Sequence, residues 1–151
     1  MVSPELLRRY PFFSGLDEGR LVFLAKAAQE DSVAAGEYFF RDGETLNTLY
    51  ILMEGEVAIT ANLPAKGREI VLSTINPGEV FAWSALVPPY QATSSAKAVA
   101  SCRVIALDCV ALRAQLERDH TLGYMIMARL AQVMRDRIRD MRMETIACLA
   151  E

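Results

Sequence analysis

The sequence predicts an α+β chain: helices first, an all-β middle, and one long helix near the C-terminal end. Three observations carry this. Leu21, Leu24, Ala25 and Ala28 repeat at helical spacing near the start. From 30 to 108 the apolar period drops to two, and glycines recur at 36, 43, 55, 67 and 78 beside polar turn residues, as several short antiparallel strands require. Beyond 119, Met127, Leu130, Met134, Ile138 and Met141 recur at spacings of three and four along one sustained apolar stripe.

In chain order, residues 3 to 29 read as helical. Ser3 can cap the start, Pro4 suits a first helical position, and Asp17 can cap a second helix after the Ser14-Gly15 break. The clearest strands are Glu37 to Arg41, Thr48 to Glu54, Glu56 to Leu63, Glu69 to Ile75 and Ala96 to Leu107. Glu54-Gly55-Glu56 reads as a tight turn in which glycine supplies a positive φ. Ala61 to Arg68, with Pro64 and Gly67, reads as a loop between paired strands. Asp108 can cap a helix over 109–118, and Asp119 or Thr121 can open a longer one to about 148. At ~1.5 Å per residue that helix is longer than a domain of this size needs for its own core, so part of its stripe is expected to face a second copy. Arg135, Asp136, Arg137, Arg139, Asp140, Arg142 and Glu144 then read as its solvated flanks.

The 151-residue length fits a single domain spanning 1–151. Hydrophobic residues make up 52% and charged residues 23%, a globular composition. No run approaches the ~18 to 20 apolar residues of a spanning helix, and the start does not read as a secretory signal, so a cytoplasmic protein with no membrane contact is expected. A formal net charge of -3 provides no general pull on nucleic acid. Cys102, Cys109 and Cys148 fit no metal-ligand spacing, and the lone His120 lacks the partners a haem, metal or catalytic role would need. With no nucleophile and base, no metal set and no Walker loop, an enzyme and a required cofactor are not expected.

The stretch from Pro77 to Ser94 is where a ligand is expected. Pro77-Gly78 marks a turn, Glu79-Val80-Phe81 a short strand, and Ser84-Ala85-Leu86 one helical turn stopped by Pro88-Pro89. Its neighbours carry a wider pattern: Ala35-Gly36-Glu37, Phe40-Arg41-Asp42-Gly43-Glu44, Leu49 to Val57 with Glu54-Gly55-Glu56 inside it, and Pro77-Gly78-Glu79-Val80-Phe81. In order and spacing these motifs resemble a cyclic nucleotide-binding domain of the CRP/FNR type over nearly the whole chain. The resemblance implies an antiparallel β-roll, a double-stranded, jelly-roll-like β-helix, flanked by N-terminal helices and a long C-terminal helix. It also implies a regulatory module that binds cyclic AMP or cyclic GMP in a phosphate-binding cassette reading Phe-Gly-Glu-x-Ala-Leu and then Arg-Ser/Thr-Ala. There a carboxylate accepts the ribose hydroxyl, and a guanidinium matches a phosphate edge with two parallel donors.

The candidate pocket residues are accordingly Phe81, Ala82, Trp83, Ser84, Ala85, Leu86, Gln91, Ala92, Thr93 and Ser94. Phe81, Ala85 and Leu86 match the cassette, but Ala82 stands at its glycine and Trp83 at its glutamate. The arginine falls on Ala92, or on Gln91 in the other alignment, with Thr93 at the Ser/Thr position. Losing the arginine removes hydrogen bonds worth ~1.5 to 3 kcal/mol each, at least about tenfold in affinity. Lys97, four residues beyond Thr93 on a strand, is not expected to restore it. Three readings stay open: weak cyclic nucleotide binding, a flatter and less anionic ligand stacked on Trp83, or Trp83 as a plug. The resemblance places base-capping side chains near Met141 and Arg142. The homodimer expected from the length of the C-terminal helix runs along Met127, Leu130, Met134, Ile138 and Met141. The DNA-reading domain of transcription regulators in this family needs more chain than follows that helix here, so no direct DNA binding is expected. The alternative to a sensor is a scaffold that binds no ligand and works through its exposed methionine stripe.

Overall fold

A computed structural model describes residues 1–150; the last residue of the expected domain lies outside them. Helix α1 (Pro4–Arg8), a 3-10 turn (Pro11–Phe13) and α2 (Glu18–Lys26) lead into eight strands. Ser3 accepts from the Leu6 amide and Asp17 from the Arg20 amide, so both caps form as their sequences require. The strands are β1 (Ala28–Val33), β2 (Tyr38–Phe40), β3 (Thr48–Glu54), β4 (Val57–Leu63), β5 (Arg68–Ile75), β6 (Val80–Phe81), β7 (Ser95–Ala98) and β8 (Cys102–Asp108). They form two antiparallel four-stranded sheets, ordered β1-β8-β3-β6 and β2-β7-β4-β5. This is the β-roll the motifs imply. Helices α3 (Cys109–Arg118) and α4 (His120–Ala150) follow, with Asp108 capping the first.

Two expectations are corrected. The helical reading to residue 29 fails after Lys26, because Ala28–Val33 pairs with β8 along its whole length, from Ala28 opposite Leu107 to Val33 opposite Cys102. Gln29-Glu30-Asp31-Ser32 is an exposed edge-strand run with no apolar alternation, so its pairing comes from β8 and not from its own pattern. The single strand expected from Ala96 to Leu107 is two, β7 and β8, in different sheets and joined by a corner at 99–101. Glu54-Gly55-Glu56 is the tight turn expected, with Gly55 at a φ of 104°, but it joins strands of different sheets and not a hairpin pair. Chain leaving one sheet for the other at these two corners closes the roll.

Both sheets and the helices bury one apolar cluster. Leu49, Ile51, Val104, Ile105 and Leu107 come from the first sheet, Val57, Ile75, Ala96 and Ala98 from the second, and Leu122, Ile126 and Leu130 from α4. Phe39, Tyr50 and Phe81 join the two sheets, with ring centroids 4.9 to 5.2 Å apart. Arg20 clamps the start of α4: its Nε and an Nη donate to both Asp119 oxygens at 2.7 and 3.0 Å, holding that carboxyl below its usual range. Cys102 and Cys109 are buried, and burial pushes the Cys109 thiol up to about 12, far from any nucleophilic role at neutral pH. Among the described residues no helix is long and apolar enough to cross a membrane, and no group of three or more His, Cys, Asp or Glu could hold a metal ion.

Candidate functional site

Strand β6 ends at Phe81, and the chain turns sharply through Ala82, which takes a left-handed φ of 67°. Ala82 thereby supplies the backbone turn for which glycine is the easier choice. Trp83–Leu86 then winds as one 3-10 turn, tighter than the helical turn expected. The next segment, from Gln91 to Ser94, returns along the loop after Phe40: the Ala92 amide donates to the Glu44 carbonyl at 2.8 Å, and Gly43 donates to the Ala92 carbonyl at 2.9 Å.

Between these segments and α4 lies a cavity of about 320 Å³. Phe81, Ala82, Trp83 and Ser84 line it from the cassette, and Ala92, Thr93 and Ser94 from the returning segment. Phe40, Leu46, Ile59, Leu72, Ser73 and Ile75 complete its walls within the roll, and Arg137 and Met141 close it from α4. These wall residues from the roll and Arg137 were not foreseen. For the strand residues the alternating pattern marked an inward face, but nothing in it distinguishes a cavity wall from a filled core.

The remaining expected site residues lie elsewhere. Ala85 and Leu86 are buried in the apolar cluster and do not line the cavity. Of the two positions that could replace the arginine, Ala92 lines the cavity, whereas Gln91 is exposed and bridges to Thr45. Lys97 sits beside Glu69 at 3.9 Å and over the Tyr38 ring, away from the cavity lining. Arg142 lies on a neighbouring apolar patch with Ile138, Thr145 and Ile146.

Two readings of α4 need correcting. Leu130, expected on an intermolecular stripe, is 1% exposed and belongs to the chain's own core. Arg137, read as part of a solvated flank, has a side chain only 13% exposed. Its guanidinium lies 3.2 Å from Glu79 and 3.5 Å from Asp140, which ties α4 to the turn before β6. Among the described lining residues it is the one cation, and its charge is already met by these carboxylates.

Comparison with known proteins agrees with this architecture. The family model described as Cyclic nucleotide-binding domain matches residues 30–119. A CRP-like cAMP-activated global transcriptional regulator of Mycobacterium tuberculosis is 29% identical over 131 residues, 87% of this chain and 58% of the relative. A candidate potassium channel protein of Rhodopseudomonas palustris is 31% identical over 123 residues, 82% of this chain and 29% of the relative. The chain thus spans less than two thirds of either relative's length. Among solved structures, a candidate cyclic nucleotide-binding protein from Geobacter metallireducens superimposes with a TM-score of 0.82 at 31% identity, covering 91% of this chain and 99% of that one. With the family model matching residues 30–119 and a solved relative superimposing over 91% of this chain, the chain belongs to the cyclic nucleotide-binding domain family in its CRP/FNR-like form.

Proposed function

We propose that the chain is a non-enzymatic regulatory sensor, a single domain in which a small molecule in the cavity sets the attitude of α4. The observation that carries this reading is that Arg137 and Met141 of α4 form part of the cavity wall. A ligand that fills the space touches the helix directly, so differential contact with two helix positions can shift their populations. The cassette that would hold a cyclic phosphate is altered at its two charged positions, Trp83 and Ala92. Affinity for cyclic AMP and cyclic GMP is therefore at least about tenfold below that of a cassette with its arginine.

The seam for signal output is the exposed face of α4. Tyr124, Met127, Ala131, Met134, Ile138, Met141, Thr145 and Cys148 alternate at spacings of three and four. Tyr124 is 77% exposed, Ile138 52% and Met141 47%, an apolar strip that a second copy would cover in a parallel homodimer. Met141 belongs to both strip and cavity, so occupancy and helix pairing are linked through one side chain.

Calorimetric titration with cyclic AMP and cyclic GMP tests the altered cassette, on the native chain and on a Trp83→Glu, Ala92→Arg double variant. The native chain is expected to show no tight binding, and the variant to gain at least about tenfold. Tight binding by the native chain overturns the altered-pocket reading, and no gain in a folded variant overturns the assignment of Trp83 and Ala92.

A further inference from the structure

We infer that the cavity takes a neutral, largely apolar small molecule, flat enough to lie along Trp83; this rests on the sensor reading and names its ligand class. Phe40, Ile59, Leu72, Ile75, Trp83 and Met141 line the space from five elements, so removal of apolar ligand surface from water is the main attraction on offer. Apart from Arg137, the polar residues of the lining are Ser73, Ser84, Thr93 and Ser94, all hydroxyl-bearing. A hydroxyl donates or accepts equally well, which suits a carbonyl, hydroxyl or amide on an uncharged ligand.

Charge points the same way. The lining holds no carboxylate, so a cationic ligand finds no partner there. Arg137 is flanked by Glu79 at 3.2 Å and Asp140 at 3.5 Å, and it donates to the Thr74 carbonyl at 3.5 Å. Glu79 and Asp140 lie outside the lining, with side chains 40% and 44% exposed, and they already meet the charge of Arg137, so an entering anion loses its hydration without a free cation to receive it. A volume of about 320 Å³ is at the small end of ligand pockets, which favours a compact ring system over a long chain.

Trp83 is the sole tryptophan of the chain, so its emission reports on this cavity. The test titrates the protein with N-phenyl-1-naphthylamine, which is neutral, and with 8-anilino-1-naphthalenesulfonate, the same aromatic body bearing a sulfonate. The neutral dye is expected to accept energy from Trp83 saturably and to bind about tenfold or more tightly than the sulfonate. Ala92→Met and, independently, Ser94→Met place bulk in the cavity and are expected to weaken the neutral dye about tenfold. Two separate positions guard against one variant failing to fold, which circular dichroism checks. A saturable response that both folded variants leave unchanged places the dye on the surface and overturns the inference. Equal or tighter binding of the sulfonate, or displacement of the dye by micromolar cyclic AMP, overturns the ligand class and leaves the sensor standing. Silence toward both dyes and cyclic AMP overturns the sensor reading as well.

Discussion

At Gly55 the backbone φ is 104°, and a Cβ placed there would lie 2.5 Å from the Ser101 carbonyl oxygen and 2.8 Å from the Cys102 sulfur. The two corners where the chain changes sheet thus touch each other, and the missing side chain is what lets them. Gly55→Ala is expected to cost roughly 2 to 4 kcal/mol, from the left-handed backbone and from backbone that must shift. Urea unfolding midpoints measure this, and a loss under about 1 kcal/mol would show that the corners yield. The positive φ at Gly55 was legible in Glu-Gly-Glu, but the reason for it was not. Contact between residues 55 and 101 depends on the fold, whereas turn propensity depends on neighbours. Arg137 teaches the same point: its sequence neighbours are charged, yet Glu79 and the roll cover it.

At the scale of elements, α3 holds the cassette turn in place through Arg113. Its Nε donates to the Ala85 carbonyl at 2.8 Å, an Nη donates to the Leu46 carbonyl at 2.7 Å, and the guanidinium lies 3.7 Å from the centre of the Tyr90 ring. One side chain thereby joins the 3-10 turn, the loop before β3 and Tyr90, the residue that leads into the return segment. Arg113→Gln is expected to lower stability by roughly 2 to 3 kcal/mol, because two carbonyls lose a charged donor. Trp83 emission should shift to the red, since the turn that carries it loosens. A destabilised variant with unchanged emission would show that Arg113 supports the fold without positioning the cassette. No periodicity announces this residue, because its partners are backbone atoms far along the chain.

Across the whole molecule, α4 has two apolar faces with different fates. Leu122, Ile126 and Leu130 pack on the chain's own core, while the strip from Tyr124 to Cys148 is left uncovered and residues from 141 onward are exposed. If a parallel second copy covers that strip, both Cys148 thiols meet across the axis. Mild oxidation is then expected to yield a disulfide-linked dimer that Cys148→Ser abolishes, the other two cysteines being buried. Met134→Glu with Ile138→Glu is expected to give a folded monomer by sedimentation and to leave the cavity intact, since neither residue lines it. A monomeric native protein would overturn the dimer, and loss of fold in the variant would assign the strip to the chain's own core.

The sequence alone determined the broad order of helices, all-β middle and long terminal helix, the caps at Ser3, Asp17 and Asp108, and the bounds of β2, β3, β4 and β5 to within about one residue, because each rests on local patterning or turn chemistry. Tertiary structure decided the rest. Pairing with β8 makes a strand of the polar run Gln29 to Ser32, and sheet exchange splits Ala96 to Leu107 in two. Packing against the roll sends Leu130 inward, brings Arg137 to Glu79 and leaves open the space that Trp83, Ala92 and Met141 share. The physical division is one of range: short-range preferences write themselves into neighbouring residues. A cavity is made by side chains far apart in the chain that meet without filling the space between them.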